Sequence, residues 1–177
     1  MEDIKIQTEC RMFCRGELVE FLNLGMQPLA NLFISREHVG KPERMYPLRV
    51  MYCSACGLSQ LGEVIDPEIL FRDYVYFSSG MPSSPHFIAY ADEIVKRFIS
   101  PPHDLLVEVG SNDGHFLRLM KERGVQALGV DPAGNIAELA NHQGLETIPD
   151  FFSAHIAEHI LREKGPAKII IANNVVA

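Results

Sequence analysis

Apolar positions in the second half of the chain alternate between two rhythms. Short continuous runs, Leu105-Leu106-Val107 with Val109, then residues 126–130, 145–148 and 168–172, predict buried strands. Between them apolar residues recur at helical spacing over residues 116–123, 133–142 and 154–163. Gly124, Gly144 and Gly165-Pro166 end those helices. An earlier helix over residues 84–99 gathers Phe87, Ile88, Ala91, Ile94, Val95 and Phe98 on one face and stops before Pro101-Pro102. Alternating βα units whose strands are apolar on both sides predict a parallel sheet covered on both faces. Crossovers are right-handed, and ligand binds at the carboxyl ends of the strands, beside the first. Gly110, Asp131 and Asn173 fall at such ends.

The first half has a different texture. Residues 18–24 alternate like a strand, a turn-rich stretch follows, and residues 48–52 form a second strand. Asp66 caps a short helix with Pro67 at its first position. Residues 74–80 are an aromatic, hydroxyl-rich loop. The predicted class is α/β: a small β-rich zinc-binding domain over residues 1–75, a connecting loop and helix over 76–103, and the first half of a Rossmann-like doubly wound parallel sheet over 104–177.

Four cysteines give the first domain its chemistry. Cys10 and Cys14 form one pair, Cys53 and Cys56 the other, and two such pairs can close a tetrahedral four-sulfur zinc site. About 60 residues make a thin core, which a metal can supplement. A closed site of this kind leaves no open position for catalysis. The seven histidines show no ligand spacing with the cysteines, and His155 and His159 read as surface. The N-terminus has no apolar signal core and no run reaches a membrane-spanning length. The expected setting is therefore cytoplasmic and reducing, with thiols rather than disulfides. A net charge of -7 disfavours nucleic acid as a partner.

The stretch Leu105 to Gly114 reads as strand, glycine turn and helix start. Gly110 and Gly114 permit close backbone approach to a ligand, and Asp131 at the end of the next strand suits a ribose diol. The spacing Glu108-x-Gly110-x-x-x-Gly114 is not the three-glycine dinucleotide fingerprint, and an acid sits at the first strand end. S-adenosylmethionine carries a cationic amino group and no phosphate, so acids at both strand ends suit it better than NAD.

Several segments together resemble the sugar C-methyltransferases of antibiotic deoxysugar pathways: residues 24–31, Cys53-Ser54-Ala55-Cys56-Gly57-Leu58-Ser59-Gln60-Leu61, Tyr74-Val75-Tyr76-Phe77-Ser78-Ser79, residues 107–114, and Asn173-Asn174-Val175-Val176-Ala177. The resemblance implies a zinc-binding domain, a class I S-adenosylmethionine-dependent domain and methyl transfer to a ring carbon of a nucleotide-linked 4-keto-6-deoxy sugar. It implies that Glu108, Gly110, Asn112, Gly114 and Asp131 hold the donor, with Asn173 near its adenosyl side. It also implies that Tyr76 is catalytic, holding the sugar or its enolate. Here the first cysteine pair has one residue more than the family's usual Cys-Arg-x-Cys. The family's base is expected beyond residue 177, so the chain is expected to be a fragment, or its sheet to be completed by a missing C-terminal part or by a second copy. Two other readings remain: an inactive zinc-ribbon and half-sheet binding module, and an O- or N-methyltransferase of a small molecule.

Overall fold

The structure is a computed structural model that describes residues 3–80 and 84–175. Val176 and Ala177, the end of the last resemblance segment, lie outside the described residues. The chain divides into two compact units, Met1–Leu70 and Phe71–Ala177.

The first unit contains β1 (Ile4–Ile6), β2 (Leu18–Gln27), β3 (Tyr46–Cys53), β4 (Ser59–Leu61) and β5 (Glu63–Ile65), followed by the short helix α1 (Pro67–Phe71). Strands β2, β3 and β4 form an antiparallel sheet in that order, and β1 pairs antiparallel with β5. Both expected strands are present and longer than the pattern predicts, and they pair with each other as a hairpin. Its register shifts twice, between Glu20 and Leu22 and between Asn23 and Met26; the second shift contains Gly25 at φ 71°, a left-handed conformation that favours glycine. No residue of β2 is buried. The buried apolar residues here are Cys10, Tyr46 and Cys53, joined by Gln60 and Glu63. Glu63 is paired with Arg49, whose Nε donates to it at 2.6 Å. A core this small leaves packing a marginal source of stability for the unit.

The second unit is the sheet that the periodicity predicts. Its strands β6 (Leu105–Val109), β7 (Gln126–Val130), β8 (Thr147–Ile148) and β9 (Ala167–Ile171) are all parallel, in the spatial order β8-β7-β6-β9. Helices α2 (Pro85–Phe98), α3 (His115–Glu122), α4 (Gly134–His142) and α5 (Ala154–Lys164) alternate with them. Ser84 caps α2 and Ser153 caps α5, each accepting from a backbone N–H in the first turn. Strand alternation sorts β6 between two cores. Leu106 packs with Ala91, Ile94, Phe116 and Met120. Leu105 and Val107 pack with Leu128, Ile156 and Ile160. Glu108 has the parity of Leu106, so its carboxylate enters the side covered by α2 and α3. Among the described residues no helix is long and apolar enough to cross a membrane.

Candidate functional site

The four cysteines meet in the first unit. Their Sγ atoms all lie within 4.8 Å of one another. Cys10 and Cys56 are 3.5 Å apart and Cys14 and Cys53 are 3.4 Å apart. Zn–S bonds of ~2.3 Å in a tetrahedron set sulfurs roughly 3.8 Å apart, so the donor set fits zinc with small adjustments. Local structure brings them there. Gly57 at φ 76° lets the chain turn back after Cys56, and its N–H donates to the Cys53 carbonyl at 3.0 Å. Gln60 ties down the other pair, accepting from Arg11 N at 3.0 Å and donating to the Glu9 carbonyl at 3.2 Å. The Cys53 thiol is lowered to about 6, first by the backbone N–H of Cys56. Cys10 is raised to about 12 against the pull of the Met12 backbone, by burial and by the three neighbouring thiols. Four thiolates this close need a cation's charge to exist together. Around the first cysteine pair, Phe13 and Arg15 take left-handed φ values of 53° and 59°.

The second unit holds a cavity of about 690 Å³ at the carboxyl ends of β6, β7 and β9, within the size range of small-molecule sites. Glu108, Gly110, Asn112, Asp131, Asn173 and Tyr76 all line it. Gly114 does not. Its φ of 80° starts α3, and a Cβ there would meet Leu145 Cδ1 at 2.6 Å, so this glycine serves the turn and the helix–sheet packing. Gly110 at φ 65° makes the turn out of β6, and a Cβ there would meet Val175 at 2.5 Å.

Two carboxylates share the cavity in different states. Glu108 is buried, and burial pushes its carboxyl up to about 8; Asn173 opposes the rise and Asp131 adds to it. Its Oε2 and the Asn173 Nδ2 both lack a hydrogen-bond partner among the described residues. The amide is near enough to favour the charged form, but the two are not bonded to each other through those atoms. Asp131 is also raised, chiefly by burial. It is satisfied by backbone, accepting from Asn112 N at 2.8 Å and from Ala133 N at 2.9 Å. A carboxylate has about four acceptor sites, so two remain for a ligand's hydroxyls. Orphaned buried Oε2 and Nδ2 atoms, a spare acceptor pair and room for a nucleoside fit S-adenosylmethionine.

Asn112, expected on the donor, turns its side chain elsewhere. Its Nδ2 donates to the Tyr76 carbonyl at 2.9 Å and its Oδ1 accepts from Ser78 N at 2.8 Å. Tyr76 itself is 58% exposed at the cavity rim. Several other lining residues escaped the sequence reading, among them His115, Phe151 and Phe152. His115 opens α3 and meets the Phe87 ring edge-on at 5.7 Å. Phe151 and Phe152 follow β8, and Arg72 lies over the Phe151 ring at 4.8 Å. Their one sequence signal is position: a strand's carboxyl end or the first helical residue after one.

Fold and site define a metal-clipped β-ribbon followed by an open α/β sheet with an acid-lined cavity at its strand ends. Residues 10–71 match the model of a family described as "Putative zinc binding domain". The chain is 37% identical over 163 residues to the C-methyltransferase NovU of Streptomyces niveus; the match covers 92% of this chain and 39% of NovU. The chain thus spans about two-fifths of that relative's length. A chain from the solved complex of the Haloferax volcanii Trm112 methyltransferase activator aligns at 13% identity and a TM-score of 0.24, covering 52% of this chain and 40% of its own. The zinc-binding family match and the NovU match bear out the resemblance to a C-methyltransferase with a zinc-binding N-terminal domain.

Proposed function

We propose that the second unit is the donor-binding half of an S-adenosylmethionine-dependent C-methyltransferase acting on a nucleotide-linked 4-keto-6-deoxy sugar. The observation that carries this reading is the cavity at the strand ends, where the buried Glu108 Oε2 and Asn173 Nδ2 atoms have no partner among the described residues and Asp131 keeps acceptors to spare. The similarity to NovU supports carbon as the methyl acceptor. When bound, the donor supplies an electrophilic sulfonium methyl.

The chain's own residues bind and orient. Asp131 accepts from the ribose hydroxyls while the Asn112 and Ala133 N–H groups hold its carboxylate still. Glu108 faces the cationic amino group and ionises as that charge arrives, because an opposite charge favours the ionised form. Gly110 makes the turn out of β6 at the donor site and leaves room for Val175, which lines the same cavity. Phe151 and Phe152 offer apolar surface to a ring. Tyr76, at the rim, directs its phenol toward the sugar. The four cysteines hold zinc in a closed site and take no part in the transfer.

Calorimetric titration of the zinc-loaded chain with S-adenosylmethionine tests the donor site. The expected result is saturable one-site binding that Asp131→Ala weakens at least ~30-fold, for two lost hydrogen bonds near a charged group. No binding by the wild-type chain, or undiminished binding by the variant, refutes it.

A further inference from the structure

The loop that carries Tyr76 is fastened to the donor turn by side chains the donor does not need. The Asn112 amide closes a two-bond clamp on the backbone, donating to Tyr76 O at 2.9 Å and accepting from Ser78 N at 2.8 Å. Asp113, fully buried, accepts the Ser79 N–H at 3.1 and 3.2 Å on its two oxygens and the Ser79 hydroxyl as well. A second amide repeats the device upstream: Asn135 donates to Tyr74 O at 2.8 Å and accepts from Tyr74 N at 3.3 Å. Asn112 stands at φ 52°, a left-handed conformation that asparagine tolerates better than most residues. Its own N–H is held by Asp131. One residue therefore connects the ribose acid on one side with the Tyr76 loop on the other, in three hydrogen bonds of ordinary length.

We propose that Asn112 and Asp113 are positioning residues that couple the donor site to the loop presenting Tyr76. The coupling rests on the proposed roles of Asp131 and Tyr76. Donor hydroxyls on Asp131 fix the carboxylate that holds Asn112 N–H. Asn112 in turn fixes the backbone from Tyr76 to Ser78, so donor binding orders the loop. By reciprocity an ordered loop strengthens donor binding by the same factor. Asp113 keeps the latch closed, because opening it would strand a buried carboxylate.

Amide hydrogen exchange of the zinc-loaded full chain tests this. Without donor, Asn112→Gly tolerates the backbone angle and deletes the clamp; exchange at Ser78 and Ser79 should speed by ~10-fold or more. Amides of β6 should keep their protection, which separates latch loss from unfolding. Asn112→Asp retains the acceptor and should restore Ser78. Asp131→Ala touches neither serine, yet should speed both. Unchanged exchange at Ser78 and Ser79 in Asn112→Gly or in Asp131→Ala overturns the coupling. Adding S-adenosylmethionine should slow the same two amides in the wild-type chain and not in Asn112→Gly. Donor binding that leaves them unchanged also overturns the coupling. Absent donor binding, with the donor-free results as expected, refutes the donor reading and leaves the latch established.

Discussion

Replacing Glu108 by Gln should flatten the pH dependence of the second unit's stability and weaken donor binding together. Glu108 is 5% exposed and its Oε2 has no partner. Its carboxyl is raised by burial from an ordinary 4.5 to about 8. The folded unit therefore retains a proton that the unfolded chain releases between those values. Because the folded state binds more protons across that window, stability falls as pH rises from 4.5 toward 8 and levels off above it. The full displacement corresponds to an upper bound of roughly 5 kcal/mol, at ~1.36 kcal/mol per factor of ten in proton affinity. For a unit of ~100 residues each kcal/mol moves the melting midpoint by roughly 4 °C or more. Thermal melts in a pH series from 5 to 9 should show the wild-type midpoint dropping on the order of 10 °C relative to Glu108→Gln. The variant keeps the side-chain shape but cannot ionise, so it should also lose ~10-fold or more in affinity for the cationic donor at pH 8. Parallel pH profiles for the two proteins would refute the assignment of a neutral, buried Glu108.

Metal removal should act on the first unit alone: a chelator should melt its β signals while the β6 amides stay protected, and metal analysis should give one zinc per chain. Cys53→Ser should do the same without chelator, since the buried Cys53 is one of four ligands; retained zinc stoichiometry in that variant would contradict the site. Gly129→Ala should destabilise the second unit by ~1–3 kcal/mol in urea melts, because its Cβ would run into Ser111 Oγ and would meet Leu117 Cδ1 and Thr147 Oγ1 at 2.8 Å.

The second unit's helices and strands follow from apolar spacing and glycine stops, because each βα unit is a local pattern with its own punctuation. Residue pairing across long separations was not legible. The β1–β5 pair joins Ile4 to Ile65, and neither three-residue strand carries enough alternation to be read. The site's line-up of Glu108, Gly110, Asp131 and Asn173 was legible because strand ends converge by topology. The task of Asn112 was not, since its amide serves loop backbone 36 and 34 residues away. Gly114 and Gly129 show the same limit: a glycine is visible in sequence, but whether ligand or Leu145 or Ser111 occupies the missing Cβ's place depends on packing.

The thiolate pairs also govern how the first unit comes to exist. Cys10 and Cys56 lie 46 residues apart, Cys14 and Cys53 39 apart. Joining ends across a loop of ~40 residues costs about 3 kcal/mol of chain entropy before a constant term. Between Cys10 and Cys14, and between Cys53 and Cys56, closure is nearly free, so an unfolded chain can hold the ion by two sulfurs at either end. The second pair arrives only when β2 and β3 zip together, since Cys53 ends β3 opposite Leu18 of β2. Metal release and hairpin opening are then one kinetic event, and the rate at which a strong chelator strips the ion measures how often that hairpin opens.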